Sequence, residues 1–534
     1  MRVFVIGVAG AGMAPLAGLL RQAGYEVRGS DVSFDPPMGP LLSEWGVETR
    51  QGTDPALLDG LDPKTDLVVV GNVCRRDHPL AVAAEQRGLR RVSLPTALRE
   101  LVFTTPASPV GGVRPVVAIA GTHGKTTTTA LLATILSDAG LDPGWLVGGV
   151  PTEPLGPRPF ALGRAGRSLI GRAGRSLIGR AGRSLVANAP LAPFVIEGDE
   201  YDSAFFKKQP KVWGYAPKMA LLTSIEHDHV DIYPNEASYL AAFRGLLERM
   251  PSEDEGGLLV ANAADPRVRA LVAEARPRCR VVFYAGTDAS GRPFPGGDTG
   301  DEPPIWTGHE VGLVGDGDAL QKFDLFVGPT IVGRYGVGVF GAHNVANTIG
   351  AVALAVEGFG LPVREVCMRL ARFRGVKRRL ERLVDPDVAR GVTAYDDFAH
   401  HPTAIEATLR AARARHRDAR LIALYEPRSA TACRAMHQDA YVSAFAPADV
   451  VVLAPLGRST IPEAERLDLE RLARDLRGRG KTVETPPSID DLLAAVDGMA
   501  RSGDVVVSMS NGAFGGVPRR LPELLASRER AEAR

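Results

Sequence analysis

The chain has 534 residues, 45% hydrophobic and 23% charged, which excludes a disordered or collagen-like polymer and at about 150 residues per domain suggests three or four domains. Its 63 Lys+Arg against 62 Asp+Glu give a net charge of +1, so no global field argues for nucleic acid or a membrane surface as partner. No apolar run approaches the ~18 residues of a membrane span. The four cysteines, Cys74, Cys279, Cys367 and Cys433, are dispersed, without the spacing of a zinc site or a disulfide framework, and Met1–Gly12 lacks the pattern of an export signal. The expected location is the cytosol.

Strand-like apolar runs alternate with helix-period segments, the pattern of α/β domains with mostly parallel sheets. Val3–Ile6 predicts a first strand, followed by a glycine turn and a helix over Met13–Ala23; Leu67–Val70 predicts a later buried strand. The turn, Gly7-Val8-Ala9-Gly10-Ala11-Gly12, with Ser30-Asp31 about twenty residues on, partly matches a dinucleotide fingerprint. Ala9 stands where the second glycine belongs, so the turn predicts a diphosphate at a helix N-terminus without saying whose. Thr104–Gly112, rich in Pro, Gly and Thr, predicts a linker.

The strongest motif comes next. Gly121-Thr122-His123-Gly124-Lys125-Thr126-Thr127 follows the apolar strand Pro115–Ala120. A strand, a glycine turn and a helix aim backbone N–H groups at phosphate oxygens; Lys125 would neutralise the terminal phosphates and the Thr126 hydroxyl would ligate Mg²⁺. Ile119 departs from the full phosphate-loop pattern, which has glycine there.

Gly163–Val186 is three tandem octads with six arginines and no acid, too short a period for a stacked-repeat fold and expected to be a duplicated surface loop. Phe194–Ile196 predicts a strand that delivers Glu197, Asp199, Glu200 and Asp202, four like charges that need cations beside them. Mg²⁺ bridging ATP phosphates would supply those. The strand Met219–Thr223 leads to Glu226-His227-Asp228-His229; a continued strand would put both imidazoles on one face. Histidines at this spacing also bring zinc to mind, but no closed four-ligand set is apparent. Gly286–Pro304 predicts a flexible loop.

Asn344–Leu361 predicts a helix whose Asn344 and Asn347 share a face and suit the edge of an adenine; two capping asparagines would look the same. Arg374–Arg379 concentrates cations where a third unit starts, with strands expected at Thr393–Asp396, Leu421–Tyr425, Val450–Ala454 and Val505–Ser508. Pro402 marks a helix start after Tyr395–His401.

Taken in order, GTHGKTT, E-x-D-E-Y-D, E-H-D-H-V-D, G-A-H-N-x-x-N, F-x-G-x-x-R-R and D-D-F-A-H-H-P resemble the Mur ligases of bacterial peptidoglycan synthesis over nearly the whole chain. The resemblance implies an α/β protein of three domains: residues 1–107, Rossmann-like, for a UDP-sugar; 113–372, a central ATPase carrying the octads; and 373–534, a Rossmann-like domain that closes over the site. It implies ATP and Mg²⁺ as cofactors, and phosphoryl transfer to a carboxylate followed by attack of an amine. Carried over, Gly121–Thr127 hold ATP, Thr126, Glu197 and His229 hold Mg²⁺, and Asn344 and Asn347 contact adenine. Arg379 and Asp397 reach the nucleotide from the closing domain. Lys125, Glu197 and His229 are the implied catalytic set.

Gly7, Gly10, Gly12, Met13, Ser30 and Asp31, with His400 and Arg428, are the implied substrate contacts. Several relatives carry a carbamylated lysine after the D-H-x-D segment; Pro234–Met250 contains no Lys, which places the chain with the branch acting on UDP-N-acetylmuramate. Within it the acceptor is either free L-alanine or the tripeptide L-alanyl-γ-D-glutamyl-meso-diaminopimelate. Glu197–Lys208, Tyr395–Ile405, Glu426–Thr431 and Met509–Gly516 resemble the tripeptide-joining members. An NAD(P)-dependent oxidoreductase built on the first turn would leave the phosphate-loop motif and the acid clusters without a purpose; a regulatory protein that binds ATP without ligation is a third reading, which ATP hydrolysis strictly dependent on UDP-N-acetylmuramate plus a peptide would discriminate against. Oligomeric state is not legible.

Overall fold

The structure is a computed structural model that describes residues 1–35, 38–105, 112–163, 192–294, 304–314, 320–384, 386–389, 391–458 and 461–527. The chain folds as three α/β domains, each built on its own mostly parallel sheet. In the first, the strands run Glu48–Gln51, Glu26–Asp31, Arg2–Ile6, Leu67–Val70, Arg90–Ser93 across the sheet, all parallel. Helix Met13–Gln22 follows the central strand, and its residues Met13–Leu20 are all buried.

The second sheet has ten strands. Its parallel core runs Gly144–Leu146, Phe194–Gly198, Val116–Ala120, Met219–Leu222, Leu258–Asn262, Arg280–Thr287, Trp306–Val314. Leu320–Val327 and Thr330–Val337 extend it antiparallel. The third sheet runs Glu381–Val384, Thr393–Asp397, Val505–Met509, Leu421–Tyr425, Val450–Leu453, Thr482–Glu484, parallel except for its first strand. The central strands are apolar throughout because helices cover both faces of a parallel sheet.

The two junctions between domains differ in kind. The first domain shares one continuous apolar core with the central sheet, in which Val3, Leu16 and Leu98 pack in the same cluster as Val116, Phe194 and Tyr239. Trp45 meets Phe160 edge-on at 4.9 Å. The third domain has its own cores and, beyond Phe373 and Val376 at its start, which sit in the central core, meets the central domain mostly through polar groups. Thr152 Oγ1 donates to Gly375 O at 2.9 Å, Lys377 N donates to Val150 O at 2.9 Å, and the Arg415 guanidinium stacks 4.0 Å from the Phe340 ring. Polar junctions hinge more readily than apolar ones.

Two sequence expectations change here. Thr104–Thr105 and Gly112–Val113 form a short antiparallel ladder rather than a plain linker; residues 106–111 lie outside the described residues. Gly286 and Thr287 end a strand and Asp288–Arg292 form a hydrogen-bonded turn, so that part of the Gly286–Pro304 segment is structured; residues 295–303 lie outside the description. The octads, from residue 164 on, also lie outside it.

Candidate active site

Strands Val116–Ala120 and Phe194–Gly198 are parallel neighbours, with Glu197 opposite Ile119 and Gly198 opposite Ala120. Met219–Leu222 flanks Val116–Ala120 on the other side. The C-terminal ends of all three therefore open at one edge, where parallel sheets take their ligands. Helix Lys125–Asp138 begins there, capped by Gly124 at φ +81°, a left-handed conformation that glycine tolerates without strain. Thr122 N donates to Ser224 O at 2.8 Å, and Thr223 Oγ1 donates to Ala120 O at 3.2 Å, tying the loop to the third strand. His123 hydrogen bonds Glu226 at 2.6 Å, and Thr127 is buried in the helix's first turn.

Lys125 Nζ donates to Gly121 O at 2.6 Å and to Glu200 Oε2 at 3.1 Å. Burial alone would lower its pKa, but Glu200, Asp199 and Glu197 outweigh that and hold it above the ordinary lysine value. Glu200 is 1% exposed. Burial pushes its carboxyl up, yet Lys125 and His229 dominate and hold it at about 2. Its Oε1 lies 3.1 Å from His229 Nε2 and accepts Tyr239 Oη–H at 3.2 Å.

The four carboxylates of the acidic segment diverge. Asp199 faces Lys211 at 3.3 Å, Glu200 faces Lys125, and Asp202 faces Lys208 at 3.0 Å. Three of the four are thus neutralised by lysines, which corrects the expectation that a metal must offset the whole cluster. Glu197 is the exception: among the described residues no cationic side chain lies within 4 Å of it. Its carboxylate accepts Thr126 Oγ1–H at 3.1 Å and Gly148 N–H at 2.5 Å. Burial first, then Asp199, push its pKa up to about 7, the signature of a buried carboxylate short of positive charge.

The paired-imidazole expectation fails. The strand ends at Leu222, and His229 adopts a left-handed backbone at φ +56°. His227 Nε2 meets Tyr233 O at 2.8 Å while His229 turns to Glu200. Burial pulls the His229 pKa down, but Glu200 and Asp228 raise it on balance.

From the third domain, Arg379 Nη2 donates to Thr126 Oγ1 at 3.2 Å and its guanidinium lies 4.9 Å from the Phe398 ring. Asp397 is buried and fixes the segment that carries Arg379, accepting Leu380 N–H and Ala399 N–H, each at 2.7 Å. Asn347 Nδ2 donates to Asn344 Oδ1 at 3.2 Å, and Asn344 Nδ2 donates to Phe340 O at 2.8 Å. The Asn347 amide packs directly over Gly124, so the pair borders the phosphate loop. His400 lies 3.8 Å from Asp228.

At the first turn, Gly7 N and Val8 N donate to Ser30 O, Gly10 N donates to Gly7 O, and Asp31 Oδ2 accepts Ala9 N–H at 2.9 Å. Ser30 and Asp31 thus shape the turn, and Gly12 and buried Met13 start the helix. Lys211, missed in the sequence, is buried, and its Nζ lies 4.0 Å from where a Cβ on Gly12 would sit. It joins the first turn to Asp199. Arg428 stands apart: it lines a pocket of the third domain with Gly457, Arg458 and Asn511 and does not meet the phosphate loop.

Three segments match descriptions of one family: residues 2–104 the Mur ligase family catalytic domain, 194–355 the Mur ligase middle domain, and 378–512 the Mur ligase glutamate ligase domain. The chain is 33% identical to a UDP-N-acetylmuramate–L-alanine ligase of Roseiflexus sp. (strain RS-1), with 96% of each chain covered. The chain belongs to the Mur ligase family. It is also 31% identical to the Escherichia coli (strain K12) UDP-N-acetylmuramate–L-alanyl-γ-D-glutamyl-meso-2,6-diaminoheptandioate ligase, over 99% of this chain and 100% of that one. The crystal structure of a murein peptide ligase from Psychrobacter arcticus 273-4 superposes with a TM-score of 0.65 at 30% identity, covering 99% of both chains. As a Mur ligase the chain is an ATP-dependent enzyme that forms a C–N bond, in peptidoglycan synthesis. The phosphate loop at 121–127 falls between the first two matched segments. Among the described residues no helix is long and apolar enough to cross a membrane.

Proposed function

We propose that this Mur ligase joins the tripeptide L-alanyl-γ-D-glutamyl-meso-diaminopimelate to UDP-N-acetylmuramate in the cytoplasm, recycling cell-wall peptide. The observation that carries this reading is the pocket of the third domain. Arg428 and Arg458 line it, and the buried Asn511 Oδ1 has no hydrogen-bond partner among the described residues. Two guanidiniums away from the phosphate loop suit an acceptor with several carboxylates; free alanine offers one. The Escherichia coli and Psychrobacter arcticus relatives support the same acceptor.

In this reading residues 1–107 take the UDP-sugar, with its diphosphate at the turn of Gly7, Gly10 and Gly12, residues 113–372 take ATP, and residues 373–534 close over both. The donor chemistry of Thr126 and Glu197, two oxygens 3.1 Å apart, one of them from a buried carboxylate short of positive charge, fits Mg²⁺. His229 fits less well, because its Nε2 faces Glu200. When bound, Mg²⁺ would neutralise phosphate charge.

Lys125, held between Gly121 O and Glu200, places a fixed cation at the terminal phosphates, and Arg379 brings a second from the closing domain. Phosphoryl transfer rests mainly on such positioning. The γ-phosphoryl passes to the lactyl carboxylate and ADP leaves. The tripeptide amine then attacks the acyl carbon, the bond to phosphate breaks, and the amine loses its proton. Closure of the third domain keeps water from the acyl phosphate.

The test is phosphate release with UDP-N-acetylmuramate, comparing the tripeptide with L-alanine. A kcat/KM at least tenfold higher for the tripeptide is expected. Preference for L-alanine, the activity of the Roseiflexus relative, would refute the acceptor assignment and leave the ligase chemistry standing.

A further inference from the structure

His123 of the phosphate loop, Glu226 of the central domain and His401 of the closing domain converge at the junction of the two domains. One ligand-capable atom from each lies within 4.8 Å of the others. His123 Nε2 and Glu226 Oε2 are 2.6 Å apart, and His401 Nδ1 is 3.3 Å from the same oxygen. Thr403 Oγ1 donates to the other Glu226 oxygen at 2.8 Å and orients the carboxylate.

His401 is the telling member. It is 7% exposed, yet neither ring nitrogen makes a hydrogen bond to any described residue; the approach of Nδ1 to Glu226 is off-axis. Leaving a buried polar atom unpaired is costly, so its retention in a tight junction calls for a partner. Burial, together with nearby His123, pushes its pKa down to about 3, so the ring stays neutral. A neutral imidazole is the form that binds metal.

We propose that His123, Glu226 and His401 bind a divalent cation of the zinc class, separate from the Mg²⁺ position at Thr126 and Glu197, that staples the closing domain to the phosphate loop. Two imidazoles and a carboxylate suit zinc and its late first-row neighbours, whereas magnesium prefers an all-oxygen shell. Zinc bonds of about 2.0–2.1 Å place tetrahedral ligand atoms roughly 3.3 Å apart, a spacing within reach of these three by small side-chain rotations. Three protein ligands leave the fourth position for water or an anion. Because His401 comes from another domain than His123 and Glu226, the site exists only in the closed arrangement, and binding must favour that arrangement by the same free energy that closure lends to binding.

The experiment is equilibrium dialysis of the full chain against micromolar zinc in excess magnesium. His401→Gln, Glu226→Gln and Glu197→Gln are run in parallel, with small-angle scattering of each. One zinc per chain is expected, weakened at least tenfold in His401→Gln and Glu226→Gln, retained in Glu197→Gln, with zinc compacting only the proteins that bind it. An anomalous peak at the zinc edge between the three side chains of the unmutated protein supports the site independently of how the variants fold. No bound zinc, equal binding by His401→Gln, or a peak at Glu197 would each overturn it.

Discussion

Arg379 of the third domain donates to the Thr126 hydroxyl at the start of the phosphate-loop helix, 3.2 Å away and 253 residues apart in sequence. In the proposed reading that contact couples closure of the third domain to the nucleotide seat. Removing a positioned cation at a phosphoryl-transfer site commonly costs about 10²–10³-fold in rate. Arg379→Ala should lower kcat by that order. The melting temperature should hardly move, since the third domain keeps its own cores. Steady-state kinetics beside a thermal melt separates the two effects, and an unchanged kcat would remove Arg379 from the mechanism.

Lys125 serves two purposes that one substitution can separate. Lys125→Ala should cut kcat by about three orders of magnitude. It also strips Glu200 of its main counter-charge, leaving a buried carboxylate whose remaining side-chain partners among the described residues are His229 and Tyr239. Breaking a buried pair costs about 3–5 kcal/mol, and the remaining partners should keep the loss at the low end. Adding Glu200→Gln should restore much of the stability and none of the turnover. A double variant as unstable as the single one would deny the coupling.

Gly124 is a tight point of the loop. Its φ is +81°, and a Cβ there would run into the Asn347 amide. Strain at a left-handed position costs of order 1–3 kcal/mol. Gly124→Ala should therefore destabilise the chain by that much and raise the KM for ATP. Asn344→Ala removes the partner of Asn347 without strain and should mainly raise the KM for ATP, leaving kcat near normal. If Asn344→Ala changed kcat alone, adenine contact by this pair would be excluded.

Much of the fold was legible because its central strands are buried on both faces. Val116–Ala120, Leu67–Val70 and Leu421–Tyr425 read as unbroken apolar runs, and Pro402 marked its helix start. The antiparallel extension Leu320–Val327 and Thr330–Val337 was not anticipated; it is half-exposed, and in Thr330–Val337 glycines interrupt the alternation. Within the site, the loop and the acids were visible as motifs, but their pairing was not. Spacing could not say that Glu200, three residues after Glu197, would face Lys125 while Glu197 faced Thr126. It could not bring Lys211 beside the first turn or His401 beside His123 and Glu226, because those meetings are set by strand order and domain docking.

The acid limb of stability should carry a trace of His416. It follows helix Pro402–Arg415, and its Nε2 lies 3.0 Å from the Tyr395 hydroxyl. Burial, with help from Arg415 and Arg413, pushes its pKa down to about 4, against about 6.5 in an unfolded chain. Between those values the unfolded state holds more protons than the folded one, so stability rises with pH across that window. The contribution is complete above about pH 6.5, declines as pH falls toward 4, and is flat below. One such group supplies at most about 1.4 kcal/mol per pH unit, and less here because the ring is only half-buried. His416→Gln keeps an acceptor for Tyr395 and cannot titrate. Melting temperatures from pH 7 to 4.5 should fall more steeply for the unmutated chain than for the variant, and parallel curves would assign the acid sensitivity to other groups.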